Sequence, residues 1–146
     1  MHPAPQAAAG FSLVEMLVAS VVVCVGLLGV VALQLECLQA MRSATARTQA
    51  VALSADLADR LRAHAAPAAA YDCGGECEEG DGGDALAAAD LAQWRDAVRA
   101  QLPDGTASVT YAAGATARYR IALGWSDGDG ARTVHELDVL VGTSSP

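Results

Sequence analysis

The longest apolar run lies near the N-terminus: the twenty residues from Met16 to Leu35 hold no charge, and Ser20 and Gln34 are their only polar side chains. As a helix rising about 1.5 Å per residue, this run covers about 30 Å, the thickness of a bilayer's hydrocarbon core. The helical pattern continues past it. No proline falls between Pro5 and Pro67, Leu53, Leu57 and Leu61 recur at i, i+4, i+8, and Arg42, Arg47, Arg60 and Arg62 sit among polar neighbours. One face is therefore apolar and the other wet. The spacing predicts a single helix from Phe11 to about His64, with residues 11–35 in lipid and residues 36–66 packed on a globular domain.

Residues 67–89 change to glycine and acid, with Asp72, Glu76, Glu78, Glu79, Asp81 and Asp84 and no base among them, and are predicted to form a loop. Residues 90–146 carry the remaining elements. Asp90 with Gln93 has capping-box spacing, Leu91, Trp94, Val98 and Leu102 mark the buried stripe of a short helix, and Pro103-Asp104-Gly105 ends it. The period then becomes two. Val109 and Tyr111, then Tyr119, Ile121, Leu123 and Trp125, then Leu137, Val139 and Val141 predict three antiparallel strands, the last two joined across Ser126-Asp127-Gly128-Asp129-Gly130. The expected class is α+β, with the leucine face of the long helix covering the apolar face of the sheet.

Composition narrows what such a chain can do. The net charge is -8, lysine is absent and the nine arginines are scattered, so no basic patch exists to neutralise phosphates and nucleic acid is excluded as a partner. A cleaved secretory signal would explain an N-terminal apolar run. This run, however, exceeds a typical h-region of roughly 7–15 residues, no A-x-A site closes it, and the helix continues through it.

Just before the run stands Gly10-Phe11-Ser12-Leu13-Val14-Glu15. This hexapeptide resembles the processing site of type IV prepilins, which couples a glycine, an aromatic residue and a lone carboxylate at the edge of an apolar span. The resemblance implies a leader of residues 1–10, cleavage after Gly10 by prepilin peptidase, and N-methylation of Phe11. Glycine suits that cleavage, since an extended backbone without a side chain can lie against catalytic groups. Glu15 has two readings. An ionised acid in a membrane helix costs several kcal/mol unless it snorkels or is paired. It is either a subunit assembly contact, facing the free amine of Phe11 on a neighbour, or a residue at the headgroup boundary.

Gly26-Leu27-Leu28-Gly29 with Ala32-Leu33-Gln34, Ala58-Asp59-Arg60-Leu61-Arg62-Ala63, and Asp90-Leu91-Ala92-Gln93-Trp94-Arg95 with Leu102-Pro103 further resemble the PilV subgroup of minor pilins. The implied fold is the pilin-like roll. The implied partners are other major and minor pilins, prepilin peptidase and the inner-membrane pilus assembly platform, with a single pass through the inner membrane and a periplasmic C-terminal domain. Two features depart from the family pattern: the leader has no lysine or arginine, and Ala32 stands where major pilins often carry a mid-span proline. Gly26 and Gly29, each about 1 kcal/mol less favourable in a helix than alanine, are either bending points or sites of close helix packing.

Cys73 and Cys77 flank Gly74-Gly75-Glu76, and a structural disulfide in an oxidising compartment is the preferred reading of this pair. Zinc needs further ligands, for which His64 is the nearest histidine, so no metal is expected. Cys24 and Cys37 read as small apolar residues or free thiols. Asp127-Gly128-Asp129-Gly130 lacks EF-hand spacing and reads as a solvated turn. His2, His64 and His135 have no evident catalytic partners in the sequence, so neither enzymatic activity nor a cofactor is expected. The reading is a minor type IV pilin acting in pilus initiation or at the tip. A type II secretion pseudopilin and a membrane-anchored, non-polymerising periplasmic binding module are the alternatives.

Overall fold

The computed structural model describes residues 12–64, 69–113, 118–128 and 130–140. Its elements are α1 (Leu13–Ala63), β1 (Gly75–Glu76), α2 (Ala85–Gln101), β2 (Thr106–Ala112), β3 (Arg118–Ser126) and β4 (Arg132–Leu140). The chain divides into two compact units, Met1–Leu38 and Gln39–Pro146, and α1 contributes to both.

In the first unit α1 is mostly apolar, with Glu15 and Glu36 its charged residues, and every residue from Leu13 to Leu38 is exposed; α1 is long and apolar enough to cross a membrane. Its first turn closes on the Ser12 carbonyl, which accepts from the amides of Glu15 and Met16 at 3.0 and 3.2 Å. The Ser20 hydroxyl donates to the Met16 carbonyl at 2.8 Å. The one hydroxyl of the apolar run is thus satisfied within the helix, as a lipid environment demands.

In the second unit α1 buries two adjoining ridges. Ala46, Ala50, Ser54 and Ala58 form a row of small residues at i+4 spacing, and Leu53, Leu57 and Leu61 form a row of large ones. The small row lets the helix axis approach, while the leucines fill the space beside it. Opposite them lie the inward residues of the sheet, including Val109, Tyr119, Ile121, Leu123, Trp125 and Val139, all in one core cluster with Leu91, Trp94 and Val98 of α2. The Trp94 indole N–H donates to the Leu53 carbonyl at 2.8 Å, so this large buried ring keeps its polar atom paired. The outer face is polar, with Arg120 and Asp138 directly opposed across β3 and β4 and bonded at 3.0 Å.

The sheet is an antiparallel meander in the order β1-β2-β3-β4. The α+β class follows the expectation, but two details correct it. Four strands stand where three are expected, because the cysteine loop itself supplies β1. The helix after the loop also starts earlier: its N-cap is Asp84, whose Oδ1 accepts from the amides of Leu86 and Ala87 at 3.0 and 2.8 Å. Asp90 is an interior residue of α2. Nothing between Gly83 and Asp90 breaks a helix, and the alanines of Ala85–Ala89 have the highest helix propensity, so the helix runs back to the first available cap. Val141, assigned by periodicity to the last strand, lies outside the described residues.

Candidate functional site

The processing residues Gly10 and Phe11 lie outside the described residues. Glu15 stands in the first turn of α1, where an acid complements the positive end of the helix dipole. Around it Leu13, Val14 and Met16 are 83%, 70% and 66% exposed. Glu15 thus stands among exposed apolar side chains, where an ionised acid in lipid is costly unless it is paired or reaches the interface. Gly26 and Gly29 have a related property. A Cβ added at either would meet nothing within 4 Å, so no contact inside the chain requires glycine there. Cys24 and Cys37 are exposed free thiols on the same helix.

Residues 6–31 match the family model described as the prokaryotic N-terminal methylation motif. The matched segment takes in Gly10, Phe11, Glu15 and most of the apolar run, the same residues on which the sequence reading rests. No curated protein and no solved structure matches the chain. The methylation motif is the feature shared with type IV pilin-like prepilins, and it extends into a helix that fits membrane anchoring. Those prepilins are structural subunits, and their motif is associated with peptidase processing and the pilus machinery.

Cys73 and Cys77 are joined by a disulfide with an S–S distance of 2.04 Å. Their backbones explain why the bond matters. The Cys73 amide donates to the Val109 carbonyl at 2.9 Å and the Cys77 amide to the Ala107 carbonyl at 2.8 Å, flanking the β1 pairs Gly75↔Val109 and Glu76↔Ser108. Gly74, at φ 67°, turns the chain in a conformation that disfavours side chains. One residue upstream of Cys73, Asp72 Oδ1 accepts from the amides of Gly74 and Tyr111 at 3.0 and 3.2 Å. The acidic loop is therefore the stapled edge of the sheet. The two sulfurs and the Asp81 carboxylate lie within 4.8 Å of one another, but the thiols are spent on each other and Asp81 Oδ2 accepts from the Glu78 amide at 2.7 Å.

The turn at Asp127 is a clasp. Its carboxylate accepts from the Ser43 hydroxyl of α1 at 2.9 Å, from the Gly128 amide at 3.0 Å and from Thr133 at 3.4 Å, with Arg47 at 3.9 Å. These donors, Ser43 first, hold the Asp127 carboxyl below its usual range. A carboxylate so engaged is no free cation ligand.

Both histidines of the second unit find partners that their sequence neighbours do not suggest. His64 Nε2 lies 3.0 Å from Asp84 Oδ2, and His135 Nε2 lies 3.1 Å from the buried Ser54 hydroxyl, which itself donates to the Val51 carbonyl. The Asp84 carboxyl is held low by the Ala87 amide and then by His64. Tyr71 donates to Asp90 at 2.7 Å, and the other Asp90 oxygen takes Arg60 at 3.0 Å. Burial, reinforced by Asp90, pushes the Tyr71 phenol above its ordinary range. Arg60 also reaches Asp56 and Gln93. The His64–Asp84, His135–Ser54, Tyr71–Asp90, Arg60–Asp90 and Arg60–Gln93 pairs span 19 to 81 residues of chain, so periodicity carries no signal for them. They bind α1, α2 and β4 together.

Proposed function

We propose that this protein is a minor subunit of a type IV pilus, of the PilV type, inserted in the inner membrane and matured by cleavage after Gly10 and N-methylation of Phe11. It takes part in initiation or sits at the tip, with its C-terminal domain in the periplasm before assembly. The observation that carries the reading is the methylation-motif match over residues 6–31, leading into an apolar helix exposed along its whole first part. The role is structural. Its partners are the prepilin peptidase, other pilins and the assembly platform.

On this reading Glu15 is the assembly contact, pairing with the amine of Phe11 on a neighbour when bundling of the helices excludes water. The test has two arms. Mass spectrometry of the mature protein should find methylated Phe11 as its first residue, with Gly10→Val accumulating as precursor. Glu15→Leu should be inserted, processed and folded but absent from sheared filaments. An intact leader in piliated cells refutes the prepilin reading, and equal incorporation of Glu15→Leu refutes the assembly role.

A further inference from the structure

The face of the sheet opposite α1 carries a depression of 280 Å³. Thr106, Ser108 and Gly124 form its floor, and Val134, 57% exposed, forms an apolar wall. Gly124 matters for what it lacks. A Cβ there would come within 2.8 Å of Thr106 Oγ1 and 3.1 Å of Arg132 Nη2. Its absence lets the Arg132 guanidinium lie across the strand and donate to Thr106 Oγ1. That bond uses one of five N–H groups and leaves the others for an acceptor. Glu76 borders the same depression from β1, opposite Ser108, on a strand stapled by the Cys73–Cys77 bond. Among the described residues neither Arg132 nor Glu76 has an ion-pair partner, and they do not pair with each other.

Two opposite charges thus border one hydroxyl-lined floor, Arg132 tied to Thr106 and Glu76 exposed on the stapled strand, and neither has an ion-pair partner among the described residues. A simple anion that meets Arg132 is repelled by Glu76, and a simple cation meets the converse. The complement is a molecule bearing both charges, with a short hydrocarbon to lie on Val134. We infer that the outer face of this sheet binds a small zwitterion of amino-acid size, its carboxylate on Arg132 and its ammonium on Glu76. The inference does not depend on the filament reading, since either can fail alone.

The full-length protein in detergent micelles, labelled for amide NMR, tests it with glycine and 4-aminobutyrate as probes and butyrate and butylammonium as single-charge controls. At least one zwitterion should give saturable shifts at the amides of Ser108, Gly124 and Val134, with half-saturation in roughly the tens-of-millimolar range expected for two solvent-exposed charge contacts. Arg132→Gln and Glu76→Gln should each weaken this about fivefold or more, with the rest of the spectrum unchanged, which certifies the fold. No saturation by either probe up to about 100 mM, equal binding of a single-charge control, or wild-type binding by both variants overturns the assignment.

Discussion

Replacing Cys73 and Cys77 together by serine isolates what the staple does. The bond closes a loop of sequence separation 4. For so short a loop the chain-entropy relation gives about 2 kcal/mol, near the lower end of its usual range. Its effect is concentrated on the edge, because the amides at both cysteines donate to β2 and the acceptors of β1 pair with the same strand. If the edge opens by itself in the variant, 2 kcal/mol corresponds to about thirtyfold faster amide exchange at positions 73 and 77, with Ile121 and Leu123 of β3 unchanged. If the loss is instead transmitted to global unfolding, Tm falls by roughly 8–16 °C for a domain of about 100 residues. Hydrogen exchange and thermal melting of the full chain in micelles distinguish the two. Unchanged exchange at both positions together with a Tm within about 2 °C of wild type would refute the view that the disulfide holds this edge.

The remaining predictions concern charges. Asp127 has a folded-state pKa below its unfolded value, so its contribution is present above the unfolded pKa near 3.8 and is lost as pH falls through the lower folded value. Asp127→Asn, which keeps an acceptor for Ser43, should lower the denaturation midpoint at pH 7 and flatten the fall in stability below about pH 4; an unchanged acid limb would disprove the clasp. Arg95 is 8% exposed, its Nε has no partner among the described residues, and Asp96 lies 4.0 Å away. Arg95→Met keeps the apolar stem and removes the buried donor, so it should stabilise by about 1 kcal/mol and raise Tm by roughly 4–8 °C. A clear drop in Tm would mean that the guanidinium makes a stabilising contact.

The sequence alone determined the features set by local periodicity. An uncharged run long enough to cross a bilayer can be little else than a helix, the period of Leu53, Leu57 and Leu61 fixes a buried face, and alternation from Tyr119 to Trp125 fixes a strand whose odd positions face the core. The glycine, aromatic residue and acid ahead of the run were also legible, since a motif that matches along contiguous residues needs no tertiary contact to be read. Tertiary structure decided whatever depends on which residues meet. Asp84 and Asp90 are both plausible caps by composition. The helix reaches back to Asp84 through the helix formers Ala85, Leu86 and Ala87–Ala89, and what the tertiary structure adds is that Asp90 is occupied by Tyr71 and Arg60 from other parts of the chain. The Gly-rich acidic loop has no strand propensity of its own. It becomes β1 because a disulfide and the open edge of β2 hold two residues extended, and a pairing that short cannot be sustained by local preference. Likewise the Ser43–Asp127 and Ser54–His135 bonds join residues more than 80 positions apart, and they exist because helix–sheet packing brings those side chains within reach.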